Sequence, residues 1–170
     1  EKLYQYLLLY SDDVLHACSN QRQVNIFQKK ICKKYKTTIL GKPKSFLSLQ
    51  FEWFDDGSMI IHMEAFIKKF LERHNMQNCK KLKIPFDPNT KLSKKMEPHP
   101  DNKKEIEEMN NFPYRTIVMT INYLVEAMRI DLSYHRGVVT KFQNNPGRPM
   151  KNAVIRALRY LQETSDLGIL

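Results

Sequence analysis

Two apolar runs, residues 3–10 and 14–18, are separated by only three polar residues, Ser11-Asp12-Asp13. Tyr and Leu dominate the first run and Val, Leu and Ala the second, so the segment is predicted to be a buried β-hairpin. Ser19-Asn20 then offers a cap for a helix over 21–35, whose apolar face is Val24, Phe27, Ile31 and Tyr35 at three- and four-residue steps, with Lys29, Lys30, Lys33 and Lys34 to its sides. Gly41-Lys42-Pro43 interrupts the chain. Partial alternation over 46–53, the turn signal Asp55-Asp56-Gly57-Ser58 and the return run 59–63 predict a second hairpin. Helical spacing resumes over 64–74 through Ile67, Phe70, Leu71 and His74.

Residues 78–113 differ in kind. They hold five of the eight prolines and the basic clusters Lys80-Lys81-Leu82-Lys83 and Lys94-Lys95. With little apolar surface to pack, this stretch reads as an extended connector carrying a short acidic helix near 105–109. Three helices follow. The first covers 114–128, with Ile117, Ile121, Leu124 and Met128 on one face. The second starts from an Asp131 N-cap and uses Leu132, His135, Val139 and Phe142; the third is opened by Pro149 as an N1 proline, with Met150, Val154, Leu158 and Leu161 inside and Arg156 and Arg159 outside. The expected class is α+β, hairpins and a helix first and mostly helices after.

A chain of 170 residues that is 42% apolar can bury a sizeable core without staples. Its longest uncharged apolar run, Tyr6-Leu7-Leu8-Leu9-Tyr10, is far short of the roughly 20 residues that cross a bilayer, so no membrane partner is expected. No secretory signal opens the chain, and the start at Glu1 inside an apolar run suggests a piece of a longer polypeptide. Cys18, Cys32 and Cys79 have no zinc-type spacing and read as free thiols of a reducing compartment. The scattered glycines assemble no phosphate-binding loop. His16, His62 and His135 sit in apolar patterns and read as hydrogen-bonded or half-buried, and Trp53 as a packing residue. The 28 basic and 18 acidic residues give a net charge of +10. The excess extends over most of the length, as on a surface that follows a polyanion.

Chemistry is concentrated in Tyr10-Ser11-Asp12-Asp13. Like charges ~4 Å apart repel by about 1 kcal/mol in water and about 4 kcal/mol at an effective dielectric of 20, so two adjacent carboxylates on an apolar hairpin do not serve stability. They suit a divalent cation, because Mg²⁺ takes hard oxygen ligands, and paired ions can drive an in-line phosphoryl displacement. Asp55-Asp56 reads as a turn.

The run from Leu7 through Tyr10-Ser11-Asp12-Asp13 to Leu15 resembles the Tyr-x-Asp-Asp motif of reverse transcriptases of the copia type of long-terminal-repeat retrotransposon. Further similarities follow in the family's order: Phe46-Leu47, then Phe66-Ile67 with Leu71-Glu72-Arg73-His74-Asn75-Met76, Lys83-Ile84-Pro85-Phe86, Phe112-Pro113-Tyr114-Arg115, Arg129-Ile130-Asp131-Leu132, Phe142-Gln143-Asn144-Asn145-Pro146-Gly147, and Leu158-Arg159-Tyr160-Leu161 through Asp166. Among the departures, Ser11 stands where the family has Val, Ser48 and Met119 where it has Gly, and Ile130 where it has Pro.

The resemblance implies an RNA-directed DNA polymerase. Residues 1–63 would be the end of the palm, 64–113 a thumb helix with its connector, and 114–170 helices preceding a ribonuclease H domain. It further implies Asp12 and Asp13 as catalytic metal ligands for Mg²⁺ or Mn²⁺. Tyr10 and Ser11 would lie near the primer terminus, and Phe46 and Leu47 in a primer-gripping hairpin. Lys80, Lys81 and Lys83 would touch template or primer. The partners would be an RNA/DNA template-primer duplex and deoxynucleotides. A third carboxylate and the fingers would precede Glu1, so this chain alone is expected to be inactive, with the hydrophobic edge of its first hairpin exposed. The other reading is a non-catalytic basic nucleic-acid-binding remnant that uses Lys29, Lys30, Lys33, Lys34, Lys80, Lys81 and Lys83, helped by Arg156 and Arg159.

Overall fold

The computed structural model describes residues 3–170. It is a mixed α+β structure of small antiparallel sheets and six helices, and it divides into two compact units, one ending at Glu52 and the other spanning Trp53–Leu170.

In the first unit, β1 (Gln5–Tyr10) and β2 (Asp13–Cys18) form the expected hairpin, with Leu8 opposite Leu15 and Tyr10 opposite Asp13. Its open end is tied by Tyr4 and Ser19: the Tyr4 amide donates to the Ser19 hydroxyl at 3.1 Å, and the Ser19 amide to the Tyr4 carbonyl at 3.0 Å. The hairpin is not buried as its two apolar runs alone predict; its apolar edge is exposed, as the resemblance implies. Every residue of β1 is exposed, Tyr6 at 68% and Leu9 at 66%, because among the described residues β1 has β2 as its only sheet neighbour.

Helix α1 (Gln21–Lys34) begins where the Asn20 side chain accepts the Arg22 amide at 2.9 Å, and places Lys33 and Lys34 at its negative dipole end. The rings of His16 and Phe27, 4.5 Å between centroids, join β2 to α1. Strands β3 (Ser45–Phe46) and β4 (Leu49–Trp53) pair through a two-residue turn, Leu47-Ser48. Both turn residues have positive φ, 50° and 69°. That is the requirement of a type I′ turn, normally met by Asn-Gly, which explains why a glycine suits the position of Ser48.

In the second unit, β5 (Met59–His62) pairs antiparallel with β6 (Gly168–Ile169), a strand that the helical reading of the chain end did not contain. A Cβ on Gly168 would come within 2.7 Å of the Ile61 carbonyl, so the register depends on a glycine there. Helix α2 (Glu64–Arg73) ends in a Schellman turn. Asn75, at φ 55°, takes the left-handed position, its amide donating to Glu72 and that of Met76 to Leu71.

The core lies between α2, α4 (Tyr114–Ala127), α5 (Ser133–Val139) and α6 (Arg148–Glu163). It uses the predicted stripes, including Ile67, Ile117, Ile121, Leu124, Val154, Leu158 and Leu161, all at most 1% exposed. Helix α3 (Lys103–Asn110) caps the start of α6: the Glu105 carboxylate accepts the Arg148 amide at 2.9 Å, and Glu108 pairs with Arg148 and Lys151, each at 2.7 Å.

Three expectations need correction. Asp131 is not an N-cap: it lies in a 3-10 turn, Ile130–Leu132, before α5, and its carboxylate serves a tertiary contact. Pro149 follows Arg148, the first residue of α6, and is therefore the second helical residue. The connector is not devoid of packing. Phe86 and Met109 are buried, its Lys80 carbonyl accepts from Arg159 of α6 (2.6 Å), and the Gln77 carbonyl just before the connector accepts from Gln162 (2.8 Å). An extended, proline-rich backbone leaves carbonyls unpaired, and long polar side chains on the outer face of a helix can take them.

Candidate functional site

The short Ser11-Asp12 turn between β1 and β2 puts four consecutive candidate residues at one solvent-open tip. Tyr10 and Asp13 are the last facing pair of the ladder, and Ser11 and Asp12 make the turn. Ser11 has φ 46°, the left-handed region that glycine enters freely and a β-branched side chain only with strain. Asp12 and Asp13 are exposed, so their oxygens can reach a hydrated cation. Their hard carboxylate oxygens suit Mg²⁺, which commonly uses one or two protein carboxylates beside water and substrate phosphate. Among the described residues no cluster of three His, Cys, Asp or Glu side chains could hold a metal, so the pair has the right chemistry but is too small to enclose an ion.

The other sequence-derived site residues belong to other elements. Phe46, buried, and Leu47 belong to the β3–β4 turn of the same unit. Lys80, Lys81 and Lys83 are exposed on the connector of the second unit, and Lys81 pairs with Glu163 at 3.3 Å. Within the first unit, Tyr10, Ser11, Asp12 and Asp13 are brought together at one tip.

Of two polar sites in the second unit, the Arg129–Asp131 network escaped sequence reasoning, whereas His135 is buried and hydrogen-bonded as its apolar setting predicts. Arg129 is 2% exposed. Its guanidinium donates twice to Asp131 (3.0 and 2.7 Å), to the Thr164 carbonyl (2.9 Å) and to the Thr164 hydroxyl (2.7 Å). The Tyr160 hydroxyl donates to Asp131 at 2.8 Å, and the Arg129 guanidinium lies 5.5 Å from the Tyr160 ring centroid. Burial acts to raise the Asp131 pKa, but the hydrogen bonds and charge of Arg129, with Tyr160, outweigh it and hold the carboxyl below its ordinary range. Burial and Asp131 push the Tyr160 phenol up. His135, 1% exposed, bonds the Ala153 carbonyl through Nε2 at 3.0 Å, and burial depresses its pKa against that bond. The Arg129–Asp131 pair is local, but Thr164, 35 residues from Arg129, and Tyr160, 29 from Asp131, complete that site and carry no local signature.

The chain is 31% identical over 166 residues, 97% of its length, to the retrovirus-related Pol polyprotein from transposon TNT 1-94 of Nicotiana tabacum. It is 25% identical over 162 residues to a putative transposon Ty5-1 protein of Saccharomyces cerevisiae.

The chain is homologous to retrotransposon Pol polyproteins.

An uncharacterized mitochondrial protein of Arabidopsis thaliana is 26% identical over 96% of this Pol-related chain. The chain spans 12%, 50% and 64% of the lengths of these three relatives. No protein-family profile matches it, and no solved structure does. The similarity to the tobacco and yeast proteins thus covers both units, and no helix among the described residues is long and apolar enough to cross a membrane.

Proposed function

We propose that this Pol-related chain is a segment of an RNA-directed DNA polymerase in which Asp12 and Asp13 contribute two carboxylates to a divalent-metal centre. The observation that carries the reading is the placement of Tyr10-Ser11-Asp12-Asp13 at an exposed hairpin tip, in a chain similar to a Pol polyprotein over 97% of its length. Asp12 is the principal ligand and Asp13 its acidic neighbour, with Tyr10 and Ser11 beside the primer end. Phe46 and Leu47 position the primer, and Lys80, Lys81 and Lys83 neutralise phosphates of the template-primer duplex. In this reading residues 1–63 are palm, 64–113 thumb and connector, and 114–170 the helices before a ribonuclease H domain. Mg²⁺ or Mn²⁺, when bound, supplies charge neutralisation at the reacting phosphate. Two carboxylates do not complete such a centre, so a third comes from another palm segment and this chain alone makes no DNA. The apolar surface of β1 supports the reading, since further palm strands would cover it.

The test is paramagnetic broadening of backbone amides by Mn²⁺ on the ¹⁵N-labelled chain. Selective broadening at residues 10–13, removed by Asp12→Asn, is expected. Uniform or absent broadening refutes the metal role. If duplex binding then still weakens steeply with salt, the non-catalytic basic module stands in its place; the shortage of carboxylates at the tip is the observation favouring that module.

A further inference from the structure

Strand β1 carries an apolar palindrome, Tyr6-Leu7-Leu8-Leu9-Tyr10, bounded by the polar residues Gln5 and Ser11. The five residues expose 51–68% of their surface, and none is charged or a proline. Natural sheets guard an edge with charge, proline or a bulge, and β1 has none of these. It pairs regularly with β2 on one side, and among the described residues no strand lies on the other.

A symmetric partner makes every contact twice, residue i on j and j on i. An antiparallel copy of β1 centred on Leu8 meets that condition along the whole palindrome. Leu8 faces its own copy, Leu7 faces Leu9, and Tyr6 faces Tyr10. Leucine meets leucine and aromatic meets aromatic, the kind of cross-strand pair that stabilises a sheet. Sliding the copy by two residues sets Leu9 against Gln5, or Ser11 against Leu7, so the palindrome specifies one register.

Space allows this arrangement. Residues opposite one another in the β1–β2 ladder share a face, so Leu7, Leu9 and His16 lie on the side where the Phe27 ring of α1 meets His16. The two-fold axis sets both α1 helices on that side of a four-stranded sheet ordered β2-β1-β1-β2. Its two β2 strands stand three strand spacings apart, about 14 Å, and packed helices need about 8–10 Å. The acidic tips go to opposite ends, Asp12 of each copy level with Tyr4 of the other and roughly 26 Å from its own counterpart, beyond the Debye length at physiological salt. At roughly 200 Å² per side chain the palindrome exposes about 600 Å², the lower end of what each partner buries in a specific interface. The association is therefore reversible. β2 becomes the outer strand, and it carries Asp13 and is met by α1, so growth stops at two copies.

We propose that two copies of this chain join edge to edge through β1, Leu8 on Leu8, into a closed dimer. In the polymerase reading a palm strand would cover the same surface. Strand and second copy exclude one another, and the dimer stands on the palindrome rather than on that reading.

Sedimentation velocity of the full chain from about 1 to 200 µM is expected to show the mass move from one chain to two and stop there. Leu8→Lys and Leu8→Glu each set like charges on the two-fold axis and should weaken association about tenfold or more; their equimolar mixture sets Lys against Glu and should recover it. A chain that stays single at every concentration overturns the proposal, as does growth past two copies. Failure of the mixture to recover overturns the register. Should the variants not fold, isotope-filtered NOEs between labelled and unlabelled parent chains decide: contacts from Tyr6 to Tyr10 are expected, and a dimer without them refutes the β1 interface. Mn²⁺ broadening at residues 10–13 in a chain that stays single fails this proposal alone, and a dimer without that broadening fails the metal reading alone.

Discussion

Replacing Arg129 by methionine tests how the second unit holds the end of α6. Methionine fills similar space without charge, so the loss is that of the guanidinium's bonds: two to Asp131, two to Thr164, and the stacking on Tyr160. Removing one partner of a buried ion pair costs about 3–5 kcal/mol, most of it from stranding the other charge. The Asp131 side chain is 34% exposed, so water takes part of the carboxylate and the lower end, about 3 kcal/mol, applies. Against a typical stability of about 5–15 kcal/mol this is a large fraction. Asp131→Asn strands the guanidinium less, because Thr164 still accepts from it. The double variant Arg129→Met/Asp131→Asn then lies well short of the sum of the singles. Urea unfolding of all four chains, followed by circular dichroism, measures this cycle. A loss below about 1 kcal/mol for Arg129→Met, or strictly additive singles, would refute the view that this network is a coupled buried unit.

Ser48→Gly relieves one left-handed non-glycine residue, worth about 1–2 kcal/mol, and returns about 0.4–1 kcal/mol through the freer unfolded chain. A net gain of about 0.5–1 kcal/mol in the unfolding of the first unit is expected, and a loss would argue against the type I′ turn. Tyr114→Phe removes the hydroxyl that donates to the buried Val139 carbonyl at 2.9 Å and should cost about 1–3 kcal/mol by thermal or urea melts. Stability should also fall on acidification. The folded pKa values of His135 and His74 are depressed, chiefly by burial, so below about pH 6.5 the unfolded chain binds protons that the folded chain does not. For His135 the slope reaches about 1.4 kcal/mol per pH unit and ends once pH drops beneath its folded value. Asp131, with its lowered pKa, adds a further loss only below about pH 4. Urea midpoints from pH 8 to 5 that do not move, or that move equally in His135→Gln, would refute this assignment.

What the sequence by itself determined is the set of local structures and their inward faces. The stripe Met150, Val154, Leu158 and Leu161 is buried as its spacing requires, because helical period and apolar character are properties of neighbouring residues. The Ser11-Asp12-Asp13 break became a hairpin tip for the same reason, and the Tyr-x-Asp-Asp likeness falls on that tip. Only the tertiary structure decided the rest. Whether β1 is covered depends on a third layer, which alternation within one strand cannot report. Asp131 has the chemistry of a helix cap, but a buried guanidinium two residues earlier and a phenol 29 residues later compete for it more strongly. Gly168 becomes a strand residue because β5 offers an edge it can approach without a Cβ. The polar connector is laid along α6 by hydrogen bonds between segments some 80 residues apart. Partners at such separations carry no periodic signal, so they are written in the packing of the folded chain alone.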